Sequence, residues 1–330
     1  MLGRIVKDWS KVNLRDPKDM RKVMGAMQHF MLQPAKNPEL RGAMQHLAIK
    51  GDLPAEILSI IEKYHAVPDY DTGYEQIFDI RDFTGTRESG FEILDVSSGL
   101  TFEEVKTGEK AKVYKFAGTK AQVTFARYAA ALGWDRTMID DGKYWLLEDN
   151  AIEFRAQAYS TKAQAHYDLI AALPSAQNLA WQAPTPAALA ATDARYTASK
   201  DANTINAACL KILKDLKDLG MAVNANSPFV VLAPIDLRPR IKAALAYADL
   251  TLGGARVTDF NIQPLYTMML ASTTSYYVIL PKKKLKGGNR QDLTLLFDDD
   301  ILAYTTVEAG WMRFGAAIGE VKQIVRCATS

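Results

Sequence analysis

Three observations predict an α+β fold for this chain. Helical patterns with no core of their own fill the first third. β-prone runs separated by turn residues dominate from Asp69 to Phe125 and again from Ala255 onward. Between these strand-rich regions, Lys143 to Leu173 forms one long stretch without Gly or Pro.

Taken in order, the run KDMRKVMGAMQHFML predicts a helix from Pro17 to Leu32. Met20, Val23, Met24, Met27 and Phe30 recur at helical spacing, and Pro34 ends it. Further helices are expected from Pro38 to Lys50 and over AEILSIIEKYH after Pro54. Their apolar stripes require a partner, because ordering backbone costs about 1 to 2 kcal/mol per residue and needs burial to offset it. The pentapeptide GAMQH occurs at Gly25–His29 and again at Gly42–His46, but the flanks differ and the interval is too short for a stacking repeat.

The segments FEILDV, AKVYKF and AQVTFARY read as strands, and Gly85 to Gly118, poor in large apolar residues, reads as a long extended hairpin. The helix from Lys143 to Leu173 would be about 46 Å long at 1.5 Å per residue. It places Trp145, Ile152, Ala156, Tyr159, Ala163, His166 and Ile170 on one face, with His166 expected as a packed core histidine. Ala180 to Ala198, rich in Ala, Thr and Pro, is expected to be a surface connection. DANTINAACLKILKDLKDLG then makes a helix with Ile205, Ala208, Ile212, Leu216 and Leu219 on one face and Gly220 as its C-terminal cap. FVVLAP reads as a buried strand, and IDLRPRIKAALAYAD as a helix opened by Asp236. Tyr276 to Asp300 reads as a strand, an exposed basic turn over Lys282 to Arg290 with Gly287-Gly288 at its tip, and a returning strand that ends in a solvated turn at Asp298, Asp299 and Asp300.

Composition narrows the function classes. A chain of 330 residues with 48% hydrophobic content can bury a sizeable core in one large or two ordinary domains. Lys and Arg number 40 against 38 Asp and Glu, so any nucleic-acid contact must be local. Charge is unevenly distributed: Met1 to Lys50 holds ten basic and four acidic residues, and Ala66 to Val105 ten acidic and two basic. These blocks are either solvated faces or surfaces that meet between chains. Cys209 and Cys327 form no CxxC pair, which points to a reducing compartment and to two small core side chains. No run of 18 uncharged apolar residues and no signal peptide is found, so a cytosolic protein with no membrane partner is expected.

A search for chemistry assigns no catalytic, cofactor-binding or metal-ligating residue. The phosphate loop, the dinucleotide fingerprint, HExxH and GxSxG are all missing from the sequence. Four histidines (His29, His46, His65 and His166) leave little for acid–base catalysis. The competing class is a soluble α/β enzyme with a site around Asp140, Asp141 and Glu148.

In the order and length of its elements, the sequence resembles the major capsid proteins of tailed double-stranded DNA bacteriophages, which have the Hong Kong 97-type fold. That resemblance implies an N-terminal arm (1–66), an extended loop with flanking peripheral strands (67–130), a spine helix of the peripheral domain (131–174), an axial α/β domain (175–254) and a β-rich return through both domains (255–330). The closing segment VEAGWMRFGAAIGEVKQIVRC is similar to the family's terminal strand pair, with Glu308 and then Arg313 ahead of small apolar residues through Ile318. The proline often found in that last turn is absent from GEVKQIV. The implied function is a non-enzymatic virion protein that self-assembles into hexamers and pentamers of an icosahedral shell. Its implied partners are other copies of itself, a separate scaffolding protein, a portal, a decoration protein and packaged DNA held by weak non-specific contact, with assembly in the bacterial host cytoplasm. An encapsulin-like compartment is the related alternative. The charge asymmetry suggests a basic arm lying on a neighbour's acidic Asp69 to Glu104 region.

Overall fold

The computed structural model describes residue 63 and residues 66–94, 119–135, 144–187, 189–249, 255–258, 260–300 and 305–329. The arm helices expected between Pro17 and His65, the strand AKVYKF, the distal part of the extended hairpin, Glu103, Glu104, Asp140 and Asp141 therefore lie outside the described residues.

A short helix α1 (Gly73–Ile77) leads into β1 (Asp79–Asp82), and β2 (Gly90–Leu94) pairs antiparallel with β3 (Thr119–Thr124) at the base of the expected extended hairpin. β4 (Ala126–Asp135) follows, then the long helix α2 (Tyr144–Ala171), one residue shorter at its start and two at its end than the sequence reading. After β5 (Asn178–Leu179) come α3 (Tyr196–Asp218), β6 (Phe229–Pro234), α4 (Arg238–Ala246), β7 (Ala248–Asp249), β8 (Ala255–Arg256) and β9 (Ile262–Thr267). The chain closes with β10 (Ser275–Ile279), β11 (Leu285–Asp300), β12 (Thr305–Ile318) and β13 (Ile324–Ala328). Helices combine with sheets that are largely antiparallel, which is α+β in class.

Two principal sheets result. The first has the order β5-β13-β10-β6-β9 and the second β1-β11-β12-β4. Every residue of β6 is buried because the first sheet is covered on both faces. The two-residue period sends Phe229, Val231, Ala233, Tyr276, Val278, Val325 and Cys327 to one side, where they pack with Ile205, Ala208, Ile212 and Leu216 of α3 and Ile241 and Ala244 of α4. Val230, Leu232, Tyr277, Ile279 and Ile324 go to the other side and meet Tyr74, Ile77 and Phe78 together with Ala163, Tyr167 and Ile170 of α2. Cys209 and Cys327 both fall in the first cluster as free thiols, as expected.

Several readings are corrected by the coordinates. Residues 180–187 dock onto α3 by hydrogen bonds: the Thr185 amide donates to Ser199 Oγ (2.7 Å), that hydroxyl donates back to the Thr185 carbonyl (2.8 Å), and the Gln182 amide donates to Thr204 Oγ1 (3.0 Å). The segment is a surface connection as expected, though partly pinned, and α3 begins at Tyr196 instead of Asp201. Asp236 caps nothing. A 3-10 turn, Ile235–Leu237, precedes α4, and Pro239 serves the first turn, where its missing N–H costs no hydrogen bond. Gly220 does close α3, with φ +72° and its amide on the Lys217 carbonyl (2.8 Å). On α2 the buried stripe runs through Ala151, Arg155, Ala163, His166, Tyr167 and Ile170, so near its start it is turned by one residue from the expected Ile152 and Ala156.

Candidate functional site

The segment Tyr276 to Asp300 departs most from its sequence reading. β10 belongs to the first sheet and β11 to the second, so the segment is a crossing between sheets, with no hairpin between them. The turn falls at Lys282 and Lys283, whose φ values of +65° and +52° are uncommon for residues with a Cβ. Gln323, fully buried, holds this turn: its Nε2 donates to the Leu280 (3.0 Å) and Lys282 (3.2 Å) carbonyls, and its Oε1 accepts from the Lys284 amide (3.1 Å). The Lys282 amide also donates to the Ile77 carbonyl (2.7 Å). Sequence reasoning missed Gln323, and a lone Gln in a 3-10 turn offered no signal.

Gly287 and Gly288 are buried in β11, paired with β1 on one side and β12 on the other. A Cβ at Gly288 would fall 2.8 Å from Phe125 Cε1 and 2.9 Å from ring atoms of Phe83 and Phe91, so glycine serves close packing beneath an aromatic cluster. The basic residues are also engaged. Lys283 Nζ donates to the Ala222 carbonyl (2.6 Å), Lys284 to the Leu94 carbonyl, Lys286 pairs with Asp79, and Arg290 donates to the Glu88 (3.2 Å) and Phe83 (3.3 Å) carbonyls. Lys286 is the main reason that the Asp79 carboxyl titrates below the usual range. Asp298, Asp299 and Asp300 remain in the β11 ladder opposite Val307, Thr306 and Thr305, which replaces the expected solvated turn there.

Two further joints tie the architecture together. Asp71 accepts from Tyr167 Oη (2.6 Å) on α2, Thr267 Oγ1 (2.6 Å) on β9 and the Gly73 amide (3.1 Å), so one carboxylate links three parts of the chain. Asp201 on α3 has no exposed surface, pairs with Arg240 on α4 and accepts from Trp181 Nε1 (2.7 Å). Arg240 in turn donates to the Thr329 carbonyl (2.7 Å) and fixes the last strand's end. Burial raises the Asp201 pKa above the ordinary carboxylate value even with Arg240 beside it.

His166 stacks on Tyr74 (4.5 Å between ring centres), and Phe78 and Phe314 close around it at 5.3 and 5.8 Å. Its Nδ1 lies 2.7 Å from the Lys162 carbonyl, and burial lowers its pKa to about 4. It is a neutral packing residue, as the sequence suggested.

Of the enzyme alternative, Glu148 is the one described residue, and it pairs with Lys63. A groove of about 520 Å³ is lined by Tyr128, Gln157, Ser160, Thr161, Gln164, Ala165 and Asp168. It offers amides and hydroxyls, and Gln164 already donates to Asp168 (2.6 Å). No group of three or more His, Cys, Asp or Glu placed to hold a metal ion is found among the described residues. Within the acidic block, Asp69, Asp71 and Asp79 have partners inside their own chain, so those three contribute less than expected to a surface for a neighbour's basic arm. No helix among the described residues is long and apolar enough to cross a membrane.

No family model matches the sequence, and no curated protein matches it either. Solved structures do match. The capsid of Myoviridae phage XM1 aligns over 76% of this chain and 88% of its own at 8% identity, with a TM-score of 0.50. The asymmetric unit of the bacteriophage PhiM1 mature capsid covers 78% and 87% at 12% identity, TM-score 0.48, and a virus-like particle from Pyrococcus furiosus covers 81% and 95% at 11% identity, TM-score 0.48. With the XM1 likeness added to the two-sheet geometry, the chain has the Hong Kong 97-type capsid fold, α+β in class.

Proposed function

We propose that this protein is the major capsid protein of a tailed double-stranded DNA bacteriophage, a structural subunit that self-assembles into hexamers and pentamers of an icosahedral shell. The observation that carries this reading is the likeness to the XM1 capsid across three quarters of the chain. Physical support comes from the joints at Gln323, Asp71 and Asp201, which tie distant parts of the chain into one stiff body. Such a body suits a load-bearing subunit.

In this reading residues 1–66 form the arm, 67–130 the extended loop and its flanking strands, 131–174 the spine helix region, 175–254 the axial domain, and 255–330 the return through both domains. The five-stranded sheet with α3 and α4 belongs to the axial part, and β1, β4, β11 and β12 to the peripheral part. A separate scaffolding protein, a portal and a decoration protein are the proposed partners, with packaged DNA held weakly because Lys283 and Lys284 at the sheet crossing already donate to carbonyls of their own chain. The protein's proposed location is the virion, after assembly in the host cytoplasm.

The test is electron microscopy and size-exclusion chromatography of the full-length protein, alone and co-expressed with a scaffolding protein. Closed shells or capsomers are expected, with nucleic acid as cargo inside particles from infected cells. A discrete monomer or dimer under every condition overturns the reading, and shells enclosing a protein cargo would move it to a nanocompartment.

A further inference from the structure

β4 is one of the two edge strands of the second sheet among the described residues. β12 pairs with it along all ten residues, and no main-chain hydrogen bond is made on its other side among the described residues. The edge is about 33 Å long at 3.3 Å per residue. Ala126, Arg127, Ala129, Ala130, Ala131 and Gly133 are all exposed, and no charge occurs between Arg127 and Asp135. Edge strands of this length normally carry a central lysine, a proline or a bulge that prevents pairing, and β4 has none of these in its centre.

The sequence of β4 is complementary to itself about Ala131. If a second copy ran antiparallel with Ala131 opposite Ala131, then Arg127 would oppose Asp135, Tyr128 would oppose Trp134, Ala129 would oppose Gly133 and Ala130 would oppose Leu132. Both charged positions would meet opposite sign, and both aromatic positions would meet an aromatic, which are favourable cross-strand pairs. A register shift of two residues loses the charge match at both ends.

An independent feature calls for negative charge at the same place. Within the sheet Arg127 stands directly opposite Arg313 of β12, and like charges in that position are destabilising. Neither arginine has a carboxylate within ion-pair distance among the described residues, and Arg313 Nε is buried without a hydrogen-bond partner. Arg127 lies over the Trp311 ring at 5.5 Å. In the register above, a second copy places Asp135 at the position opposite Arg127.

We infer that β4 pairs antiparallel with β4 of a second copy about a two-fold axis through Ala131, joining two four-stranded sheets into one of eight. The inference deepens the shell reading and rests on it for the second copy. The contact is isologous and closes on itself.

The test is a single cysteine at Ala131, since Cys209 and Cys327 are fully buried and do not compete. Antiparallel partners lie about 4.5 to 5.5 Å apart at Cα, within disulfide reach. Under mild oxidation of assembled protein, Ala131→Cys is expected to give a disulfide-linked dimer. Ala129→Cys is expected to give none, because its own copies would lie about 13 Å apart along the strands. Arg127→Asp in the Ala131→Cys background should lower the pairing equilibrium roughly two- to thirty-fold through its two symmetric pairs, and adding Asp135→Arg should restore it. Arg127→Asp also gains Arg313 as a neighbour within its own sheet, so lost pairing would not reflect lost folding. Shells that form while Ala131→Cys stays monomeric overturn the strand pairing and leave the shell reading intact. Equal cross-linking at residues 129 and 131 also overturns it. Cross-linked dimers without shells keep the pairing and overturn the shell reading.

Discussion

Acidification should destabilise this protein through His166, and the size of the effect follows from the site. The imidazole is 1% exposed, stacked on Tyr74 and bordered by Phe78 and Phe314, and its pKa falls from 6.5 to about 4 because burial disfavours the charged ring. The folded protein therefore binds fewer protons than the unfolded chain between these values. Stability from this group is fully present above pH 6.5 and is lost as pH falls toward 4. Two and a half pH units correspond to about 3.4 kcal/mol at the acid limit, of which about 2 kcal/mol is already lost at pH 5. The perturbation is His166→Phe, which keeps a planar ring among the aromatics and gives up one hydrogen bond, to a carbonyl on its own helix. Urea unfolding of the protein at pH 7, 6, 5 and 4 provides the assay. All other titrating groups are common to both proteins, so the difference between the two stability curves isolates residue 166. The wild type should lose about 2 kcal/mol more than the variant between pH 7 and pH 5. Parallel curves would refute the reasoning.

Other predictions concern the joints. Gly288→Ala should cost about 1 to 3 kcal/mol in urea unfolding, because the new methyl group meets three phenylalanine rings from within a strand paired on both sides. Asp71→Ala leaves the Tyr167 and Thr267 hydroxyls without their acceptor, at about 1 to 3 kcal/mol for each orphaned donor, whereas Asp71→Asn should recover part of the loss. Arg240→Met strands the fully buried Asp201 carboxylate and should cost about 3 to 5 kcal/mol, while the Arg240→Met, Asp201→Leu pair should be markedly milder. A double variant no more stable than the single one would argue against an uncompensated charge as the cause.

Local signals made much of the fold legible. An uninterrupted helical pattern located α2 almost to the residue, because its ends are set by nearby breakers, Asp140-Asp141-Gly142 and Pro174. Gly220 ended α3 as expected, because a left-handed C-cap is a property of a few consecutive residues. FVVLAP was legible as a buried strand because a sheet covered on both faces needs apolar residues at every position.

The joints were not legible. Asp71 finds Tyr167 and Thr267, 96 and 196 residues away, and no local pattern marks such a meeting. The basic stretch around Gly287-Gly288 misled for a related reason. Consecutive glycines flanked by lysines favour a turn locally, yet β1, β12 and three phenylalanines require small residues inside a strand, and that requirement exists only once distant segments converge. The sequence by itself determined the ends of α2, the close of α3 at Gly220 and the burial of β6, since caps, breakers and periodicity act over a few residues. Tertiary structure alone decided that β10 and β11 lie in different sheets, that Lys283 and Lys284 between them bond carbonyls of distant segments, and that β4 has no partner on its outer side among the described residues, because each depends on contacts between residues far apart in the chain.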